Sequence, residues 1–316
     1  MTLNIPGLLT VADAANELSR STEQVRRYLR EGRLRVGYGM ACALRGQFQM
    51  PQKASVRMGP DGIAVVRSDT TDIGTGTYTI VAQVAADALG LPLDRVRVEL
   101  AHSDYPRGPG SGGSWGASNT CTAVHRACRA LREKLPSTGS PSEDVEAEGE
   151  VLGMWDDPNY GKYSINTYGA QFAEVGVDAD TAEVRLRRML GVFSPGRVLN
   201  AKTARSQLIG GMTFGLSSAL FEEGVLDKRS GAFVNRDLAG YIVCVNADIP
   251  EIDAVCLPDG FDDKANELGA KGLGELGNSG ANAALANAVF NATGVRVRDF
   301  PITLDKLLPG LPPAQE

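Results

Sequence analysis

The sequence predicts an α+β protein, and three observations lead to that class. Helical-period and alternating segments intermix along the 316 residues without a regular βαβ rhythm. Apolar residues make up 43% of the chain, enough for a sizeable core. Turn signals at Pro60–Gly62 ("PDG") and Asp178–Thr181 join alternating runs into hairpins.

The first thirty-five residues predict a short helical hairpin. Val11, Ala14, Ala15 and Leu18 recur at helical spacing, and Val25, Tyr28 and Leu29 form a second such face. Thr10 and Ser21 suit N-caps, and Gly32 a C-terminal stop. Arg20, Arg26, Arg27, Arg30, Arg33 and Arg35 make the segment basic. It resembles an excisionase-type helix-turn-helix; a solvated hairpin with a basic face is the other reading.

Two mixed α/β subdomains are expected to follow, at 36–135 and 160–316, joined by a linker at 136–159. In the first, alternating runs precede a helix through "TYTIVAQVAADALG", which Gly90 stops. "RVRVELAHSD" reads as a strand, and "CTAVHRACRALREKL" as an amphipathic helix. The stretch Pro136–Gly153 is polar and acidic, which predicts a loose excursion. In the second subdomain a hairpin precedes a long helix rich in small residues, "NAKTARSQLIGGMTFGLSSALFEE". Short strands, a glycine loop and a helix through "ANAALANAVFNATG" complete it.

Composition excludes several classes. A net charge of −6 argues against a broad nucleic-acid surface. No apolar run is long enough to cross a bilayer, and the start lacks the order of a secretion signal. Five dispersed cysteines without a CxxC pair, and two histidines, provide no zinc set; buried thiols in a reducing compartment are expected. No residue is assigned as a protein ligand to a metal. A cytoplasmic location follows, or a periplasmic one if a partner carries the export signal.

Four segments concentrate small residues: "GYGMA", "DIGTGTYT", "GSGGSWGAS" and "GAKGLGELG". Glycine lets backbone N–H groups approach a ligand's oxygens, and three of the loops lead toward helices. Together they predict a large anionic ligand with many acceptors. The third glycine and the acidic ribose residue of a dinucleotide fold are missing, as is any P-loop.

With the "SINTYGAQFAEVGVD" hairpin and the "NELGAKGLGELGNSG" loop, these motifs resemble the molybdenum-binding subunit of the xanthine dehydrogenase and aldehyde oxidase family. Within it, the bacterial aldehyde oxidoreductases using molybdopterin cytosine dinucleotide are the most similar branch. The resemblance covers 36–135 and 160–309, and implies subdomains of the molybdopterin-binding type. It implies that Glu275 is the general base beside the molybdenum, taking a proton from a metal-bound hydroxyl while hydride passes to the metal centre. Partial burial of that carboxylate beside the cofactor is expected. Lys271, Gly272, Leu273 and Gly274 would offer backbone amides to the pterin, and Gln207 would reach it from the long helix. Gly74, Thr75, Gly76 and Thr77 match a loop near the pterin; Gly39, Met40 and Ala41 match an early cofactor loop. Leu199, Asn200, Ala201, Lys202 and Thr203 match the cradle of the dinucleotide phosphate and base. Ser111–Ser114 matches a loop on the metal side.

The implied activity is hydroxylation of a small aldehyde or N-heterocycle. The sequence departs from the family pattern in carrying only the C-terminal half of such a subunit. A further chain supplying the first half is therefore expected. Iron–sulfur clusters and FAD are expected only on partner subunits, since no cysteine set or flavin motif occurs. The alternative is a DNA-binding regulator that uses the basic N-terminal segment, with an inactive cofactor domain behind it.

Overall fold

The computed structural model describes residues 33–311, apart from Thr138, Asn159 and Asp259. The expected helical hairpin lies almost wholly outside the described residues. Its last positions, Leu34 and Arg35, begin a strand.

Two four-stranded sheets carry the fold. The first has the order β1 (Leu34–Gly46), β6 (Asn166–Asp178), β7 (Val184–Ser194), β10 (Ile252–Cys256). The second has the order β4 (Val96–Leu100), β3 (Ala64–Ser68), β2 (Gln52–Met58), β5 (Val145–Val151). A short pair, β8 (Leu226–Asp227) and β9 (Ala232–Phe233), stands apart. The predicted hairpins are present: β2 pairs antiparallel with β3, and β6 with β7. Both sheets also contain one parallel pair, β3 with β4 and β7 with β10.

Each sheet is backed by two helices. α1 (Thr77–Leu89) and α2 (Cys121–Lys134) cover the second sheet, with Val56, Val66, Val81, Val124 and Leu131 in its core. α3 (Ala201–Leu220) and α4 (Ala281–Thr293) cover the first, around Met189, Phe193, Leu208, Met212 and Leu285. A short α5 (Leu304–Leu307) closes the first core through Leu307. α1 ends as predicted, with Gly90 in the left-handed region at φ 68°.

The structure redraws the expected subdomains in two places. Residues 145–151, assigned to the linker, form β5, which pairs along its length with β2. Val145, Ala147, Gly149 and Val151 alternate with Glu146, Glu148 and Glu150, a period-two pattern hidden by the acidic composition. Gly149 sits tightly under α2, where a Cβ would fall 2.1 Å from Ala123 O. Second, β1 leaves the first subdomain and pairs with β6 in the sheet of the second. The two halves therefore interlock, and the core of one includes residues from both ends of the chain.

Strand β1 also relocates "GYGMA", which was expected to be a cofactor loop. Gly37 and Gly39 face α4, and a Cβ on either would lie 2.1 Å from Ala288 O or Ala284 O. These glycines permit close strand–helix packing against a run of alanines.

Candidate active site

A cavity of about 260 Å³ opens where four segments converge. These are the 71–77 loop before α1, the 111–117 loop before α2, the stretch 197–207 entering α3, and the 270–275 loop. Glu275, Lys271, Leu273, Gly274, Gln207 and Thr75 line it, and Thr77, Leu199, Asn200 and Thr203 are also in its wall. Three of the four glycine loops thus meet at the cavity. Gly39, Met40 and Ala41 are not brought to the cavity. Ala201 and Lys202 lie outside its wall, and Ala201 lines a neighbouring hollow with Arg205 and Cys256.

The loop around Glu275 is held by side chains distant in sequence. Gly272 N–H donates to Gln47 Oε1 at 2.7 Å, and Gln47 Nε2 donates to Ser118 Oγ at 2.7 Å. Glu275 N–H donates to Ser114 Oγ at 2.9 Å. A Cβ at Gly272 would lie 2.1 Å from Ser114 O, and one at Gly274 would lie 3.2 Å from both Gln207 Oε1 and Ser114 Oγ. The glycines allow the loop to press against the 111–117 segment and α3 while leaving the cavity open.

Arg45, at the end of β1, forms an ion pair with the Glu275 carboxylate and donates to Gly113 O. Its guanidinium also stacks on Phe48, 5.0 Å from the ring centroid. Arg45 is nearly covered, at 11% exposure, whereas Glu275 is 56% exposed. The partial burial expected of this carboxylate is not found here; the arginine, and not an apolar wall, is its principal neighbour.

Many of the amides expected to face a ligand are already engaged. Asp72 Oδ1 accepts from the N–H groups of Gly74 and Thr75 at 2.9 Å each and of Gly76 at 3.2 Å, and Oδ2 accepts from Tyr78 N–H. Burial pushes the Asp72 carboxyl up, but the hydrogen bonds from Tyr78, Gly74, Gly76 and Thr75 outweigh it. The net effect holds it below the ordinary carboxylate value. At α3, Asn200 Oδ1 caps the helix by accepting from Lys202 and Thr203 N–H. The buried Lys271 ammonium is committed to Asp262 Oδ2 at 2.9 Å. Burial raises the Asp262 carboxyl, yet the hydrogen bond and charge of Lys271 dominate and hold it low.

The polar side chains lining the cavity are chiefly hydroxyl and carboxamide: Thr71 and Ser111, which bond to each other, Thr75, which bonds to Thr77, Thr203, which donates to Asn200 O, and Gln207. Those groups, with an open cradle that a Cβ at Gly274 would narrow, fit a polar, many-acceptor cofactor such as a pterin. Among the described residues no cluster of three or more His, Cys, Asp or Glu could hold a metal directly. No helix among them is long and apolar enough to cross a membrane.

Sequence reasoning missed Arg45, Gln47 and Asp72. Asp72 was legible, since an aspartate just ahead of "IGTG" is a turn-capping signal. Arg45 and Gln47 carried no local signal, because their partners lie more than two hundred residues away.

Residues 11–160 and 151–250 match the molybdopterin cofactor-binding domain family. The aldehyde oxidoreductase molybdenum-binding subunit PaoC of Escherichia coli O157:H7 is 46% identical over 307 residues, covering 90% of this chain and 42% of that protein. The probable hypoxanthine oxidase XdhD of Escherichia coli K12 is 30% identical over 290 residues, covering 81% of this chain and 30% of that one. Among solved structures, quinoline 2-oxidoreductase from Pseudomonas putida 86 shares the fold at a TM-score of 0.79 and 20% identity, over 95% of this chain and 44% of that one. The aldehyde oxidoreductase from Desulfovibrio desulfuricans does so at 0.72, over 92% of this chain and 35% of that one. The chain thus spans less than half the length of these relatives. The DNA-binding alternative finds no support in these matches. The chain belongs to the molybdopterin cofactor-binding domains of the xanthine dehydrogenase and aldehyde oxidase family.

Proposed function

We propose that this chain forms part of the large subunit of a molybdenum hydroxylase, holding molybdopterin cytosine dinucleotide and presenting Glu275 as the general base. The substrate class is a small aldehyde or N-heterocycle. The single observation carrying this reading is that Glu275 sits at the rim of a cavity where the three glycine loops and the start of α3 converge. The relative named as an aldehyde oxidoreductase subunit, at 46% identity, supports the aldehyde side.

The cofactor, when bound, supplies the redox centre that accepts the substrate's electrons. The chain supplies the rest. Glu275 takes a proton at its carboxylate, within reach of whatever occupies the cavity. Arg45 fixes the direction of that carboxylate, and Ser114 Oγ fixes its backbone. Gln207, Thr75 and Thr77 offer hydrogen bonds to the pterin edges, and Leu199, Asn200 and Thr203 flank the dinucleotide end. Lys271, Leu273 and Gly274 form the floor beneath the base. Electrons then leave through iron–sulfur and FAD subunits. The remainder of the large subunit completes the cavity.

The test is co-expression with cofactor-maturation factors and partner subunits. Stoichiometric molybdenum and oxidation of aromatic aldehydes are expected. Glu275→Gln is expected to abolish turnover while the metal stays bound; unchanged turnover in that variant overturns the assignment.

A further inference from the structure

The sheet β1-β6-β7-β10 is apolar on both faces. One face packs on α3 and α4 through Ala43, Ala173, Met189 and Phe193. The opposite face carries Met40, Leu44, Tyr168, Phe172, Leu190 and Val255, all exposed, with Leu44 at 61%. The register makes them neighbours: Met40 is opposite Phe172, Phe172 opposite Leu190, and Leu44 opposite Tyr168. Cys42, exposed, sits among them opposite Ala170; that row continues through Val192 to Val255. An antiparallel sheet facing water normally alternates apolar-in with polar-out. One charge interrupts the face, Asp253, which stands opposite Leu190 and pairs with Arg205; contiguous exposed apolar surface of this kind marks interaction sites. At one edge the buried Glu174 is paired with Arg187 and Arg188.

We infer that this face is the docking surface for the part of the large subunit lying outside the matched region, whether joined to this chain or separate. The inference rests on the proposed function and adds where the cavity-completing polypeptide is seated. Two facts favour that occupant over a second copy. In the relatives compared above, the matched region is 30–44% of a longer polypeptide, so most of each protein is available to cover it. The face is also apolar apart from Asp253, and its charges are paired within this chain, Asp253 with Arg205 and Glu174 with Arg187 and Arg188, which suits an interior layer of one subunit.

Cys42 provides a readout on the native sequence. The chain is co-expressed with a polypeptide covering the part of the E. coli O157:H7 aldehyde oxidoreductase subunit that it does not match. Maleimide labelling of Cys42 is then followed by peptide mass spectrometry, with and without that polypeptide. A stable complex with Cys42 labelling slowed at least tenfold is expected. Leu44→Asp is expected to abolish the complex, while Phe214→Asp, an exposed site on α3, leaves it intact. A complex with unchanged Cys42 labelling, no complex at all, or protection of Cys42 by self-association each overturns the inference. Molybdenum is assayed in the same samples. Docking without molybdenum sinks the cofactor reading alone; molybdenum uptake without Cys42 protection sinks the docking face alone.

Discussion

Arg45 donates from Nε and from a terminal nitrogen to the same carboxylate oxygen of Glu275, although 230 residues separate them. The nearly buried guanidinium is itself fixed by Gly113 O and the Phe48 ring. The half-exposed acid is therefore held by a rigid partner, and its direction is set by β1 instead of by its own pliant loop.

Replacing Arg45 with Met removes that constraint without touching the cavity wall. We expect kcat to fall by about 10- to 100-fold, the scale of loss from a misplaced catalytic group. KM and molybdenum content should change little. Arg45→Lys should recover only part of the loss, because an ammonium cannot reproduce the planar fork. Steady-state kinetics beside metal analysis decide the matter; an unaltered kcat in both variants shows that the pair positions nothing.

Gly272→Ala and Gly39→Ala separate the two uses of glycine in this chain. Each new Cβ would lie 2.1 Å from a backbone oxygen, of Ser114 and of Ala284 respectively. Neither backbone can yield cheaply, so each variant should lose about 1–3 kcal/mol in urea unfolding. Only Gly272→Ala should also lower molybdenum per folded chain. Loss of metal in Gly39→Ala would return "GYGMA" to the cofactor site.

Asp72→Ala uncaps the loop that leads into α1. At neutral pH the loss should be about 1 kcal/mol, typical of a removed cap. The wild-type carboxyl has a depressed pKa in the fold, so its stabilisation is present above the unfolded value near ~3.9 and disappears as pH falls through the folded value. The stability curves of wild type and variant should therefore converge below about pH 4. A gap that stays constant down to pH 2 would show that the charge is irrelevant.

The thiols should divide by burial. Cys121 and Cys128 are buried, and desolvation pushes both up to about 12. Thiolate is the reactive form, so at pH 8 both should stay unlabelled until the chain is denatured. Cys42 is exposed and should react in the native chain. Native-state labelling of Cys128 would mean that α2 opens locally.

The glycine loops, both hairpins and the helices of residues 77–293 were legible because each is written in local chemistry. Periodicity, caps and turn residues act over a few positions, and so does the Gly–Glu–Leu stretch around Glu275. β5 was misread because its three glutamates lowered the apparent apolarity of a strand whose buried face is Val145, Ala147, Gly149 and Val151. "GYGMA" was misread because glycine serves ligand approach and helix packing alike, and only the neighbour distinguishes them.

The sequence alone determined the helices, both hairpins, the family resemblance and a carboxylate in a glycine-rich loop. The tertiary structure decided what those parts face. It moved β1 out of the first subdomain to pair with β6 in the sheet of the second, bringing Arg45 to Glu275 and Gln47 to Gly272. It assigned the amides of residues 74–76 to Asp72. Such pairings form when the chain closes over long separations, and their energies depend on register and burial that no local window of residues contains.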